Sequence, residues 1–116
     1  MLTEKDYCDY ETCVALKELG FNALVDWYFN EDKSIVSSLA RYRNTYIPRI
    51  SLYEAQKWLR EEKFLLIVVD RLLNGEYVFS VVDILNYSEE KNGIADSYEK
   101  ALFKSIKDAV KILKEK

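Results

Sequence analysis

The sequence predicts an α+β fold: an antiparallel sheet of about four strands with three helices, in the order αββαββα. Three observations carry that expectation. Three segments place apolar residues at helical spacing between recognisable end signals. Four further segments are rich in β-branched and aromatic residues, and each consecutive pair of these is joined by a short stretch suited to a turn. Consecutive hairpins imply antiparallel pairing, and amphipathic helices imply a layer laid on the sheet.

The first helix is expected over residues 10–19. Asp9 can cap its start, Cys8, Thr12, Ala15, Leu16 and Leu19 recur along one side, and Gly20 supplies a left-handed residue that stops it. Strands follow at 23–29 and 34–43, around the polar turn Asn30-Glu31-Asp32-Lys33. A second helix opens at Ser51-Leu52-Tyr53-Glu54, a capping box, with Leu52, Ala55 and Leu59 as its apolar stripe and Trp58 beside it. Segments 64–70 and 76–85 form a second hairpin around Asn74-Gly75. The last helix starts at Asp96-Ser97-Tyr98-Glu99 and carries Tyr98, Ala101, Leu102, Ile106, Ala109, Val110 and Leu113 on one side.

The second hairpin is apolar on both faces. Leu65, Ile67 and Val69 alternate with Phe64, Leu66 and Val68, while Tyr77, Phe79 and Val81 alternate with Val78, Val82 and Ile84. A sheet with one wet face would alternate apolar with polar, so either helices cover both faces or a second chain covers one. Tyr77, Phe79 and Val81 are the candidate interface residues.

At 116 residues, residues 1–116 read as one domain, because halves of that size bury little apolar surface. Its 49% hydrophobic and 32% charged residues, with three glycines and one proline, describe a compact fold rather than a disordered tail. The net charge of -3 is spread along the chain and steers it toward neither nucleic acid nor an anionic membrane. No apolar run approaches the ~20 residues of a spanning helix. The acidic N-terminus lacks the pattern of a secretory signal, so a cytoplasmic location is expected.

The chain contains no histidine. Serine–histidine and cysteine–histidine catalysis are excluded, as are the common zinc and non-haem iron sites. It has no Walker loop, no dinucleotide fingerprint and no EF-hand loop. Cys8 and Cys13 are five residues apart, ~500° around a helix, so on a single helix they would point about 140° apart. They read as buried free thiols. Acidic clusters at Asp6, Asp9 and Glu11, at Glu31 and Asp32, and at Glu89 and Glu90 lie where acids cap helices and solvate turns. No catalytic residue, metal site or cofactor is expected.

Two basic features could contact a phosphate backbone. Arg41, Arg43 and Arg49 accompany Tyr42 and Tyr46 near a strand end, and Lys100, Lys104, Lys107, Lys111 and Lys114 recur at spacings of four and three along the last helix. Each also has a plain structural reading, as a charged sheet edge and as the wet face of an amphipathic helix. The nine tyrosines add contact area of the kind that binding surfaces use.

Residues 50–63, Ile50-Ser51-Leu52-Tyr53-Glu54 through Lys63, together with Asp96-Ser97-Tyr98-Glu99-Lys100-Ala101-Leu102 and Cys8-Asp9-Tyr10-Glu11-Thr12, resemble a family of short uncharacterised proteins of phage and prophage regions in gut bacteria. The resemblance covers most of the chain outside 36–49. It implies a phage-related, intracellular setting and carries no activity. The last capped helix is also similar to one in antitoxins with a partial double-stranded-RNA-binding-type fold, a likeness limited to that helix. The sequence thus leads to a noncatalytic interaction module, a homodimer with a protein partner or self-association. Its alternative is a nucleic-acid-binding accessory protein.

Overall fold

The computed structural model describes residues 2–38 and 45–116. The α+β class holds, but among the described residues the strands number six, in two three-stranded antiparallel sheets, rather than about four. The chain divides into two compact units, Met1–Ser51 and Leu52–Lys116.

In the first unit a short 3-10 turn, Glu4–Asp6, precedes α1, Tyr10–Glu18. The Asp9 carboxylate accepts from the Thr12 N–H at 2.8 Å and caps the helix. Beyond Leu19, the Phe21 N–H donates to Leu16 O and the Gly20 N–H to Lys17 O, with Gly20 at φ 109°. These two bonds are the Schellman stop, and glycine is the residue that adopts it without strain. The sheet comprises β1 (Trp27–Phe29), β2 (Ile35–Ser37) and β3 (Ile47–Pro48), in the order β2-β1-β3. The Asn30 side-chain oxygen accepts from the Asp32 and Ser34 amides and shapes the β1–β2 turn. Strand β3 has no sequence signal because it is two residues long and contains a proline, which lies at the sheet edge as proline must. The expected strand at 34–43 is observed as Ile35–Ser37, and its remainder from residue 39 lies outside the described residues.

The second unit runs α2 (Leu52–Lys63), β4 (Leu65–Arg71), β5 (Tyr77–Asp83), β6 (Ser88–Ala95) and α3 (Tyr98–Lys114), with strand order β4-β5-β6. Strand β6 replaces what reads in sequence as a late polar loop. Its residues, SEEKNGIA, form an edge strand with most side chains exposed, so no apolar alternation announces it. Ser97 caps α3 by accepting from the Lys100 N–H. The helix buries Ala101, Leu102, Ile106, Ala109 and Val110, and it lies across all three strands. The face it covers, here the inner face, carries Leu65, Ile67, Phe79, Val81 and Ala95, all buried. Each such side chain contributes roughly 1.5–3 kcal/mol when fully buried, less for alanine. Helix α2 buries Leu52, Ala55 and Leu59 and packs beside α3 along β4.

Two non-glycine residues of this unit have left-handed backbone, Phe64 (φ 57°) after α2 and Tyr87 (φ 54°) in the β5–β6 turn. An L side chain there costs about 1–2 kcal/mol. The same turn is held by Asp83, which is 5% exposed and accepts from the Leu85 and Asn86 amides and the Asn86 side chain. Burial acts to raise its pKa, but the Asn86 and Leu85 donors and the Lys116 ammonium, 3.8 Å away, outweigh it and hold the carboxyl below its ordinary value. A depressed carboxyl stabilises the fold above its unfolded pKa of about 3.9, and that contribution disappears as pH falls through the lower folded value. Urea midpoints should therefore show Asp83→Asn less stable than wild type at pH 7, with the gap closing below pH ~4.

Phe79 packs with Ala95 and Ala101, and a Cβ placed on Gly93 would meet its ring at 2.5 Å. Any side chain at Gly93 must displace that ring from under α3. Gly93→Ala is expected to cost about 2 kcal/mol in urea denaturation through this clash, while Gly20→Ala, with nothing within 4 Å, meets no neighbour and costs only the backbone strain of a side chain at φ 109°, about 1–2 kcal/mol.

Candidate functional site

The two faces of the second sheet differ. Opposite α3, the outer face brings Leu66, Val68 and Val78, Val82 together with Ile94, through the register Leu66↔Val82, Val68↔Ser80 and Val78↔Ile94. Val68 is 38% exposed and Ile94 52%, and the rest are half-buried. Neither helix of the unit lies on this face. Its polar centre is Ser80, whose hydroxyl donates to Glu89 at 2.7 Å, with Asn92 donating to the other Glu89 oxygen. The Ser80 hydroxyl first, and then Asn92, hold the Glu89 carboxyl below its ordinary pKa, so the group stays ionised beside the apolar side chains.

The sheet edges are defended. Gln56 of α2 donates to Ile67 O at 3.2 Å on the free side of β4. Strand β6 carries Glu89, Glu90 and Lys91, pairs across an irregularity at Val81/Val82, and has Lys104 reaching Ile94 O at 3.5 Å. Charges and bulges of this kind discourage strand addition.

The sequence-derived interface residues fall on the opposite side. Phe79 (4% exposed) and Val81 (0%) are core beneath α3, and Tyr77 packs against the same cluster with its ring 6.0 Å from that of Tyr98. The parity of the apolar pattern is right, but α3 takes the face carrying Tyr77, Phe79 and Val81 and leaves the other. Periodicity alone marks two apolar faces without saying which a helix covers.

The basic residues do not converge into one site. Arg41 and Arg43 lie outside the described residues. Arg49 is half-buried with its guanidinium 3.9 Å from the Tyr7 ring, and its N–H donates to Trp27 O, so it serves the first sheet. On α3, Lys100 pairs with Asp96 at 3.1 Å and Lys107 lies over the Phe103 ring. With Lys104 turned toward β6, three of the five stripe lysines have partners within their own unit. Lys111 and Lys114 are exposed near the helix end.

Cys8 precedes α1 rather than lying on it, so the single-helix geometry does not apply. Cys13 Sγ is 3.9 Å from Cys8 O and accepts from the Ile50 N–H at 3.4 Å. The Cys8 thiol is the main influence lowering the Cys13 pKa; burial opposes it. Both side chains are buried and unbridged. Among the described residues, no group of three or more cysteine or acidic side chains is arranged to hold a metal ion. Nor, among the described residues, is any helix long and apolar enough to cross a membrane. No family model, curated protein or solved structure matches the chain.

Burial outweighs the lowered pKa in controlling thiol reactivity. Alkylation of Cys8 and Cys13, followed by mass spectrometry, is expected to be on the order of a thousandfold or more slower in native protein than in denaturant.

Proposed function

We propose that the protein is a noncatalytic interaction module that self-associates as a homodimer through the outer face of its second sheet. The observation that supports this reading is the row of Leu66, Val68, Val78, Val82 and Ile94 across three registered strands, on a face that neither helix of the unit covers. Exposed apolar patches of this kind mark association surfaces. An isologous contact tolerates the polar centre of the patch, because each Glu89 carboxylate already accepts from the Ser80 hydroxyl and the Asn92 amide of its own copy. The resemblance to phage-associated proteins supports a phage-related, cytoplasmic setting.

Three strands at ~4.8 Å spacing and seven residues at ~3.3 Å rise give a footprint of only about 14 by 23 Å. That is below the roughly 800 Å² per partner of a standard interface, so the dimer should be reversible, with a dissociation constant in the micromolar range or weaker. Phosphate-backbone binding is the secondary reading, weakened by the internal partners of Arg49, Lys100, Lys104 and Lys107.

Sedimentation velocity over a concentration series should show a monomer–dimer equilibrium for wild type. The double variant Val68→Asp, Ile94→Asp should remain monomeric with an unchanged circular dichroism spectrum. A wild type that stays monomeric throughout, or a variant that dimerises equally well, refutes the assignment. Binding to labelled single- and double-stranded oligonucleotides at low and high salt tests the secondary reading, since phosphate contacts weaken steeply with salt.

A further inference from the structure

The register of the second sheet lays the outer face out as a grid of three strands by three residues. Leu66, Val82 and Glu89 form one row, Val68, Ser80 and Asn92 the next, and Asp70, Val78 and Ile94 the last. Two carboxylates therefore stand at opposite corners, Asp70 on β4 and Glu89 on β6, and both residues are exposed. Among the described residues neither is in an ion pair.

The neighbouring charges are engaged elsewhere. Ser88, paired with the buried Asp83, holds Glu90, and Lys91 stands opposite the buried Val81, so both belong to the inner register. Asn74 holds Glu76 within the β4–β5 turn, and Arg71 reaches over that turn, with Nη2 3.7 Å from where a Cβ on Gly75 would lie. Lys104 comes from α3 and donates to Ile94 O at the edge of β6. The polar groups on Glu89 itself are the Ser80 hydroxyl and the Asn92 amide.

Two-fold symmetry leaves few ways to stack this grid on its own copy. Sheets pack with strands nearly aligned or nearly perpendicular, and the two-fold axis lies between them. With the axis along or across the strands and Ser80 at the centre, each carboxylate meets Leu66 or Ile94 of the second copy. With the axis on a diagonal, it meets Asp70 or Glu89 of the second copy. In every case an ionised carboxylate loses water to an apolar side chain or to a like charge, which is costly without a counter-ion. In the free chain the Ser80 hydroxyl, and then Asn92, favour the ionised form of Glu89. Contact favours the neutral form, so association takes up protons. The added affinity is fully present below the free-chain pKa of Glu89 and is lost as pH rises through its higher value in the dimer. We infer that the outer-face dimer is strengthened by acid, with Glu89 as its titrating group. This inference rests on the self-association proposed above.

Sedimentation velocity at about pH 7.5 and about pH 5, both above the range in which loss of the Asp83 charge weakens the fold, tests it. The wild-type dissociation constant should fall about threefold at the lower pH. Glu89→Gln should lower it roughly tenfold at the higher pH and remove most of the pH dependence. Asp70→Asn should also lower it, whereas Glu62→Gln, the same charge change on the exposed side of α2, should leave it unchanged. A dimer that Glu89→Gln leaves unaffected or weakens, or that Glu62→Gln tightens equally, overturns this inference while the self-association reading stands. Monomer at both pH values for wild type and Glu89→Gln overturns both. If Glu89→Gln fails to fold, Asp70→Asn and the wild-type pH comparison decide.

Discussion

Ala101, Leu102, Ile106, Ala109 and Val110 form one stripe of α3, and their burial against β4-β5-β6 is the contact on which the rest of the second unit depends. The stripe makes Leu65, Ile67, Phe79, Val81 and Ala95 core, and Gly93 leaves the space that the Phe79 ring occupies in that core. It also assigns the remaining apolar side chains to the opposite face. A sheet whose two faces are both apolar cannot hide both with one helical layer, so docking α3 on one side creates the exposure on the other.

The edges narrow the possibilities further. Gln56 occupies a carbonyl on the free side of β4, and β6 is charged and irregularly paired. These are the devices by which sheets avoid indiscriminate pairing. With its edges defended, the unit keeps two kinds of apolar exposure, the flat outer face and the side chains of Phe64, Leu85 and Tyr87.

Much of the fold was legible in the sequence wherever a local signal coincided with the tertiary outcome. Asp9, Gly20 and Ser97 act at the helix ends as their chemistry requires, and Asn74-Gly75 turns β4 into β5. Strand β6 was not legible, because an edge strand built from Ser88, Glu89, Glu90, Lys91 and Asn92 has no inward-facing apolar set until Ala95. Strand β3 was too short to have a period. The candidate surface was half legible. Alternation identified both apolar faces of the hairpin, but the choice between Phe79 and Val81 on one side and Val68 and Ile94 on the other is made by α3, a contact distant in sequence. The backbone at Phe64 and Tyr87 had no sequence signal, since nothing local marks either residue as left-handed.

The central claim is that α3 commits one face of the second sheet to the core and leaves the other to contact a second copy. Isotope-filtered NOE spectroscopy on a mixture of labelled and unlabelled protein, at concentrations that favour association, tests it most directly. The account requires intermolecular NOEs among the methyl groups of Leu66, Val68, Val78, Val82 and Ile94, with none to Phe79 or Val81. Intermolecular NOEs to Phe79 or Val81, or none to the outer-face methyls in an associated sample, would contradict it.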